Sequence, residues 1–417
     1  MKRLILHLII YIGLPLNFAA AQDTLTVDTL KTADWTCRLQ QKLNSLMSMP
    51  LLETTQMGMM VYDLTADTVI YTHGARQRMR PASTMKLLTA ITALDLMDGD
   101  YWLRTSLYRT GNVRDGVLEG NVILHGCMDP HLSKDDVEAL VEGLEYLEVD
   151  TIKGNLVADL SFKEETLLGE GWCWDDDNPV LSPLLLNRKD NLAEQLLKRI
   201  RDKGIVLTGG LTTTTRPVVT QSSGIVVATR SCSLDLILKQ MMKDSDNLYA
   251  EAVFYHIAAV TGSRPARAQQ SRAAVRRLIN RIGLPSQHYR IADGSGLSLY
   301  NYVTPELETM MLRYAWQQEH IIDRLYNSLP IAGEDGTLKN RMTGTPAAGN
   351  VHAKTGTLTG ISSLAGYCTA GNGHELAFCI INQGVEKASD GRAFQDAVCK
   401  VLCQPLGDEN QENDNEK

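Results

Sequence analysis

The segment from Ser83 to Leu96 constrains the fold most, because it is largely apolar yet opens with a serine and a lysine. Its large apolar side chains recur near helical spacing, at Leu87, Leu88, Ile91, Leu94 and Leu96. This periodicity predicts a helix. Because three residues along a helix lead back to the same face, the side chains of Ser83 and Lys86 should meet at its first turn.

The serine and the lysine of this S-x-x-K motif have the chemistry of a base-activated nucleophile. Lys86 lies among Met85, Leu87 and Leu88, and apolar neighbours disfavour its charge. A lowered pKa would let the amine accept the proton of Ser83 near neutral pH, so Ser83 is the candidate nucleophile and Lys86 its base. The motif is a weak signal alone, because so short a pattern arises by chance.

A second motif, Lys354-Thr355-Gly356-Thr357, follows a segment that is typical of a β-strand. The lysine and the hydroxyls can hold a substrate carboxylate, and the glycine lets a substrate peptide lie close to the strand. For this task Lys354 is expected to stay protonated. The alternative interpretation of the tetrapeptide is an ordinary turn after a strand.

A third motif, Ser245-Asp246-Asn247, lies between two helical segments. Ser245 offers a hydroxyl that can relay protons, and Asn247 offers an amide that can hold a substrate carbonyl. The same triplet also suits an ordinary helix N-cap, which is its commoner use. A similar triplet at 189–191 lacks the serine, and we interpret it as a turn or cap.

The joint order of the motifs, S-x-x-K, then S-D-N, then K-T-G, is the set found in class A β-lactamases and penicillin-binding proteins. With three further segments, the chain resembles the class C low-molecular-mass penicillin-binding proteins, which are D-alanyl-D-alanine carboxypeptidases and endopeptidases. These segments are PASTMKLLTA at 81–90, DGSGLS at 293–298 and AGEDGTL at 332–338. The resemblance covers nearly the whole chain after residue 21, and the family carries an inserted domain between its first two motifs.

The resemblance implies a serine β-lactamase-like α/β catalytic domain, an antiparallel sheet flanked by helices, that needs no metal or organic cofactor. Peptidoglycan stem peptides and β-lactams are its implied partners. Ser83 would attack and Lys86 would take its proton, while the backbone N–H groups of Ser83 and Thr357 hold the oxyanion. Ser245 would protonate the leaving amine and Asn247 would position the substrate amide. The terminal carboxylate would bind to Lys354, Thr355 and Thr357.

The chain is predicted to form a catalytic domain from two separate parts, 22–103 and 226–405, with a mostly β domain inserted at 104–225. Within the insertion, strands at 118–124 and 151–160 lie around a helix at 134–146. The catalytic parts contain a predicted hairpin and three later strands, together with further helices. The strands are at 57–71, 349–354, 361–369 and 375–382, and the helices are at 233–242, 247–260 and 388–402.

The first residues predict export to the periplasm or cell envelope. Lys2 and Arg3 precede an apolar run at 4–16, and three alanines end at Ala21, which is typical of a signal peptide at 1–21. The run is shorter than the roughly 18 to 20 residues of a spanning helix, so no membrane span is expected after cleavage. Residues 406–417 are predicted to be an acidic, disordered tail. A net charge of -8 argues against nucleic acid as a partner.

The eight cysteines form no C-x-x-C pair, so zinc is not supported. We interpret most of them as small buried apolar residues. The sequence determines neither the disulfide pairing nor the oligomeric state.

Three other functions compete with this reading. A β-lactamase shares the acylation chemistry, but the E-x-x-L-N segment of class A enzymes is absent. A Ser/His/Asp hydrolase would need a G-x-S-x-G elbow, also absent, and His352 beside the K-T-G strand is interpreted as a packing or surface residue. The third is a non-catalytic wall-binding relative.

The loop at 169–176 (GEGWCWDD) resembles one in the class C family, and its acids are expected to be capping or solvated.

Overall fold

The structure, a computed structural model, describes residues 35–97, 100–218 and 224–405. The predicted signal peptide at 1–21 and the predicted acidic tail at 406–417 lie outside these residues. Within the three described ranges, no helix combines the length and the apolar character that crossing a membrane requires.

Sixteen strands are described across these ranges, and they fall into several separate sheets. In chain order they are β1 (Gln56–Asp63), β2 (Thr68–His73), β3 (Trp102–Arg109), β4 (Val113–Arg114), β5 (Val117–Leu118), β6 (Val122–His125), β7 (Thr151–Ile152), β8 (Leu156–Asp159), β9 (Leu185–Leu186), β10 (Lys189–Asp190), β11 (Val206–Leu207), β12 (Leu211–Thr214), β13 (Ile225–Ser233), β14 (His352–Leu358), β15 (Ile361–Thr369) and β16 (Glu375–Gln383).

The described part of the chain also contains eleven α-helices. They are α1 (35–46), α2 (Leu51–Thr54), α3 (Met85–Leu96), α4 (Lys134–Tyr146), α5 (Leu192–Asp202), α6 (Leu234–Lys243), α7 (Asn247–Val260), α8 (Ala268–Arg281), α9 (Pro305–Trp316), α10 (Glu319–Ser328) and α11 (Ala388–Cys403).

The catalytic part is built on a five-stranded antiparallel sheet with the order β14-β15-β16-β1-β2. Side chains along β16 alternate between two cores, as a strand buried on both faces requires. Ala377 and Cys379 pack toward the core that includes α3, α7 and α9. Phe378 and Ile380 pack toward α1 and α11 on the other face. The expected antiparallel sheet flanked by helices is therefore confirmed.

The central part of the chain, which we call the inserted unit, has its own hydrophobic core. It contains a five-stranded sheet with the order β12-β8-β6-β3-β13 and a four-stranded sheet with the order β11-β7-β5-β4. Helices α4 and α5 contribute Leu140, Leu144, Leu196 and Ile200 to that core. The inserted unit therefore combines two sheets with two helices.

The pairing of two strands bears on the edges of the inserted unit, which were predicted at 104 and 225. Its first strand β3 and its last strand β13 pair with each other in antiparallel fashion, from Trp102 opposite Ser233 to Arg109 opposite Ile225. Both strands belong to the sheet of the unit, so we propose 102–233 as its extent. The two segments that link it to the catalytic part thus lie side by side.

Candidate active site

Ser83 lies in a tight 3-10 turn, Ala82–Thr84, that leads directly into α3. Ala82 has a φ of 50°, a left-handed conformation that residues with a Cβ rarely adopt. The turn is held from both sides. The Thr84 hydroxyl lies 2.9 Å from the Pro81 carbonyl oxygen, and at Gly296 a Cβ would lie only 1.8 Å from the carbonyl oxygen of Ala82. The strained turn leaves Ser83 partly exposed while α3 behind it is buried.

The Lys86 amine meets the nucleophile as the sequence predicts. Its Nζ lies 2.9 Å from Ser83 Oγ, 2.7 Å from Asn247 Oδ1 and 2.8 Å from the backbone oxygen of Ser295. The last two oxygens only accept hydrogen bonds, whereas a hydroxyl also donates. Lys86 Nζ donates to all three oxygens here, and once the amine is neutral its lone pair can receive the hydroxyl proton of Ser83 instead.

The surroundings of Lys86 shift its titration toward the neutral form. Burial lowers the pKa of Lys86 to about 8, while nearby carboxylates, first Asp293 and then Glu251, oppose the shift. The side chain is fully buried, so the loss of hydration exceeds the attraction of the acids. An amine with this pKa is a competent base close to neutral pH.

Two buried acids that the sequence analysis did not assign hold the loop that carries Ser295. Glu251 accepts hydrogen bonds from the backbone N–H of Gly294 at 3.0 Å and of Ser295 at 2.8 Å. Asp293 accepts from the backbone N–H of Gly296 at 2.8 Å. Burial and then the charge of Asp293 raise the pKa of Glu251 to about 8. These contacts fix the carbonyl that faces Lys86.

A signal for both acids was present in the sequence. Glu251 follows Asn247 by four residues on α7, so helical spacing places the two side chains on one face. Asp293 opens the DGSGLS segment at 293–298, which supported the family resemblance without receiving a role.

The S-D-N triplet serves the site and the helix at the same time. Asp246 is the N-cap of α7, and its Oδ1 accepts hydrogen bonds from the backbone N–H of Leu248 and Tyr249. Ser245 has a φ of 59°, which turns the chain sharply before the helix. The cap sets the first turn of α7, so it places Asn247 against Lys86.

Lys354 approaches the same site from β14. Its Nζ donates to Ser245 Oγ at 2.8 Å and to the backbone oxygen of Thr355 at 2.7 Å. The Thr355 hydroxyl donates to Thr337 Oγ1 at 2.8 Å, so the AGEDGTL segment at 332–338 reaches the edge of the cleft. The S-x-x-K, S-D-N and K-T-G motifs thus meet in one place.

The surroundings of Lys354 act against the charge that the sequence suggests for it. Burial and then the charge of Lys86 lower the pKa of Lys354 well below its ordinary value. Its nitrogen meets a hydroxyl and a carbonyl rather than a carboxylate. Burial and the charge of Lys86 thus both act against the positive charge that the sequence suggested for Lys354.

A glycine is required at position 356 for a steric reason that the sequence interpretation missed. A Cβ at this position would lie 2.1 Å from Ser363 Oγ and 2.9 Å from the backbone nitrogen of Ser83. The glycine therefore lets β14 approach the nucleophile turn. Thr357, the next residue, has an exposed side chain, and the oxyanion role of its N–H stays a prediction.

Two neighbouring features have structural roles. His352 stacks on Tyr326 with ring centroids 4.0 Å apart, in agreement with the packing interpretation. In the loop at 169–176, Glu170 forms ion pairs with Arg272 and Arg290 rather than being simply solvated. Among residues 35–97, 100–218 and 224–405, no group of three histidine, cysteine or acidic side chains is arranged to hold a metal ion.

The chain is similar to known peptidases in sequence and in fold. The sequence matches the D-Ala-D-Ala carboxypeptidase 3 (S13) family over residues 39–185 and 184–404. It is 26% identical to D-alanyl-D-alanine carboxypeptidase DacB of Haemophilus influenzae, over 79% of this chain and 85% of the relative.

Solved structures show the same fold. The crystal structure of penicillin binding protein 4 (dacB) from H. influenzae superposes with a TM-score of 0.77 at 24% identity, over 90% of this chain and 99% of that chain. The same protein complexed with a β-lactam superposes with a TM-score of 0.72 at 25% identity, over 87% and 99% of the two chains.

Proposed function

Because this chain belongs to the D-Ala-D-Ala carboxypeptidase 3 (S13) family, we propose that Ser83 is the nucleophile with which it cleaves peptidoglycan stem peptides. The enzyme is a serine-type D-Ala-D-Ala carboxypeptidase, endopeptidase or both, of the class C penicillin-binding group, as the motifs predicted. Ser83 attacks the carbonyl of the penultimate D-Ala and forms an acyl-enzyme. β-Lactams acylate the same hydroxyl.

The contact between Lys86 Nζ and Ser83 Oγ, 2.9 Å apart, carries the proposal. As Ser83 attacks, its proton passes to the neutral amine, and the resulting ammonium is stabilised by Asn247 Oδ1 and the carbonyl of Ser295. The oxyanion forms between the backbone N–H groups of Ser83 and Thr357. Their proximity is supported by the close approach of Gly356 to the Ser83 nitrogen.

The other side of the cleft handles the substrate's end. Asn247 uses its oxygen on Lys86, which leaves its NH2 group for the carbonyl of the substrate amide. The terminal carboxylate binds to Lys354, Thr355 and Thr357, and this negative charge raises the lowered pKa of Lys354. Ser245, hydrogen-bonded to Lys354, passes a proton to the leaving amine.

The leaving group decides the outcome. When it is free D-Ala the reaction is carboxypeptidation, and when it is the side-chain amine of a neighbouring stem peptide the same step cuts a cross-link. Water then attacks the ester and releases Ser83. The N-terminal pattern at 1–21 supports export to the compartment where this substrate lies.

Labelling with a fluorescent penicillin tests the assignment. We expect peptide mapping of the labelled protein to find the adduct on Ser83, and Ser83→Ala to lose the label. Ser389→Ala, which changes an exposed serine on α11, is the matched control and should be labelled normally. An adduct on another residue, or full labelling of Ser83→Ala, contradicts the proposal.

Two further measurements separate the alternatives. The penicilloyl adduct should persist long enough to isolate, whereas rapid turnover of penicillin would indicate a β-lactamase. Mass spectrometry of purified muropeptides after incubation should show loss of terminal D-Ala or of cross-links. A non-catalytic wall-binding protein would leave the terminal D-Ala and the cross-links of the muropeptides unchanged.

A further inference from the structure

The inserted unit contacts the active-site helix α7 at three successive heights. Arg188 forms an ion pair with Asp246, the N-cap of α7. One helical turn on, Tyr249 Oη lies 3.1 Å from Nδ1 of His131. Near the far end, His256 Nε2 lies 2.8 Å from the backbone oxygen of Cys127. The inserted unit therefore contacts this helix along much of its length.

The face of α7 that contacts the inserted unit is not the face that lines the active site. At about 100° per residue, Asp246, Tyr249 and His256 fall within one arc of the helix. Asn247 and Glu251 fall on a different arc, which faces Lys86 and the Ser295 loop. Contacts on the first face therefore set the rotation and height at which the second face meets the site.

Arg188 is presented to Asp246 by a tight hairpin turn. It lies between β9 and β10, and both Asn187 and Arg188 have positive φ values, 46° and 68°. The backbone N–H of Asn187 donates to the carbonyl of Leu132 at 2.9 Å, which fixes the turn to the unit's own body. These two residues form the two-residue loop of the β9–β10 hairpin, since Leu186 pairs with Lys189, and such a loop takes positive φ at both positions.

Asp246 divides its two oxygens between helix and insertion. Oδ1 caps α7 through Leu248 and Tyr249, and Oδ2 meets Arg188. The carboxylate side chain is 9% exposed while that of Arg188 is 51% exposed, so the acid is the more buried partner. Removing the arginine leaves a mostly buried charge with only its capping bonds.

We propose that Arg188 is a positioning residue for the reaction, which acts through Asp246 to hold Ser245 and Asn247 in their places beside the two lysines. The inference rests on the proposed function, since it gives Ser245 and Asn247 their proposed roles. It also assigns the inserted unit a part in catalysis: the unit supplies the outer support of the S-D-N segment.

The experiment compares single and double variants of the full chain. Arg188→Ala should lower the rate constant of penicillin acylation and the kcat for peptide by about tenfold each, with KM within about twofold. Arg188→Lys keeps a cation for one carboxylate oxygen and should recover most of the rate. Arg199→Ala breaks an ion pair with Glu138 inside the inserted unit and should leave the rates unchanged.

Asp246→Asn makes the test specific to the pair. Asparagine caps a helix as well as aspartate does, so α7 keeps its cap while the ion pair is lost. Adding Arg188→Ala to Asp246→Asn should then cost less than about twofold, because the interaction is already absent. Full additivity of the two changes would overturn the inference.

Other outcomes are equally decisive. Unchanged rates in Arg188→Ala, with the wild type labelled on Ser83, would overturn the inference and leave the proposed function standing. A rise in peptide KM with normal penicillin acylation would overturn it in favour of direct substrate contact. A wild type that takes no label at Ser83 would instead refute the proposed function. If Arg188→Ala does not fold, the acylation rates of Arg188→Lys and Asp246→Asn still test the proposal. Rates in both variants that equal the wild-type rate contradict it.

Discussion

Two regions of this enzyme each bury a lysine with a lowered pKa, and only one of these two lysines has a proposed catalytic role. Lys86 lies in the cleft and Lys163 in the inserted unit, and both side chains are almost fully buried. Burial lowers the pKa of each lysine to about 8. A weakly basic amine is thus a product of burial, and it is found away from the cleft as well.

The difference lies in what each nitrogen touches. Lys163 Nζ donates to the backbone oxygens of Glu164 at 2.5 Å and Thr166 at 2.6 Å, and it lies 4.7 Å from the ring centroid of Tyr255. These carbonyls and this ring face have no proton to give. Lys86 instead meets Ser83, a hydroxyl that does. A lowered pKa becomes catalytic only beside a group that can be deprotonated.

The largest expected effect comes from removing the base in the cleft. Lys86→Arg keeps the positive charge but cannot accept a proton, so acylation by peptide and by penicillin should both fall by about 10³-fold. Stopped-flow acylation rates measure this, with circular dichroism to show that the variant folds. An active Lys86→Arg enzyme would remove the lysine-base mechanism.

A smaller loss is expected at the second cleft lysine. Lys354→Arg keeps a cation for the substrate carboxylate in a different geometry, so acylation should drop by roughly tenfold, more through binding than through proton transfer. The split between KM and kcat provides the measurement. A loss as large as that of Lys86→Arg would show that Lys354 also transfers the proton.

The pH dependence sharpens the comparison further. Only neutral Lys86 accepts a proton, and its pKa is about 8. The acylation rate should therefore rise about tenfold per pH unit at lower pH and level off above that pKa. Stopped-flow measurements across this range give the profile, which reports the buried set of groups as a whole.

Glu251→Gln offers a matched change for the profile. The charge of Glu251 raises the pKa of Lys86, so its removal should move the midpoint to lower pH. A midpoint that moves upward, or not at all, would separate Glu251 from the titration of the base.

The smallest effect on rate is expected at Lys163. Lys163→Met removes the amine with the same pKa, yet the acylation rate and its pH profile should match the wild type within about twofold. Stability should fall by about 1–3 kcal/mol, because two buried carbonyls lose their donor. Urea unfolding measures the second quantity, and a changed pH profile would break the comparison.

Sequence patterns predicted best what is local to one segment. The meeting of Ser83 and Lys86 follows from helical spacing, and the helix at 134–146 was predicted with the bounds that α4 has. The strand at 361–369 likewise coincides with β15. Each depends on a repeat that neighbouring residues carry among themselves.

Features that depend on distant segments were not predicted. The Ser295 carbonyl faces Lys86 only because α7 and the 293–298 loop fold against each other, and Gly356 is required by the position of Ser83 on another element. The two effects that lower the pKa of Lys354 were missed for the same reason, since burial and the neighbouring Lys86 appear only when the chain is folded. The spacing of residues in the sequence reveals which side chains meet along one helix. It does not reveal which side chains are brought together when distant segments pack against each other.

The pairing of β1 with β16 has a consequence for when the enzyme becomes active. Gln56 and Gln383 contact each other across 327 residues of chain. This contact cannot form before Gln383 has been synthesised, and closing the loop adds an entropic cost. Ser83 is synthesised early, whereas β14, β15 and β16 emerge near the end. A growing or half-folded chain therefore carries its nucleophile without the strand and lysine that complete the cleft, and the wall-cutting activity is withheld until the two ends of the polypeptide have joined.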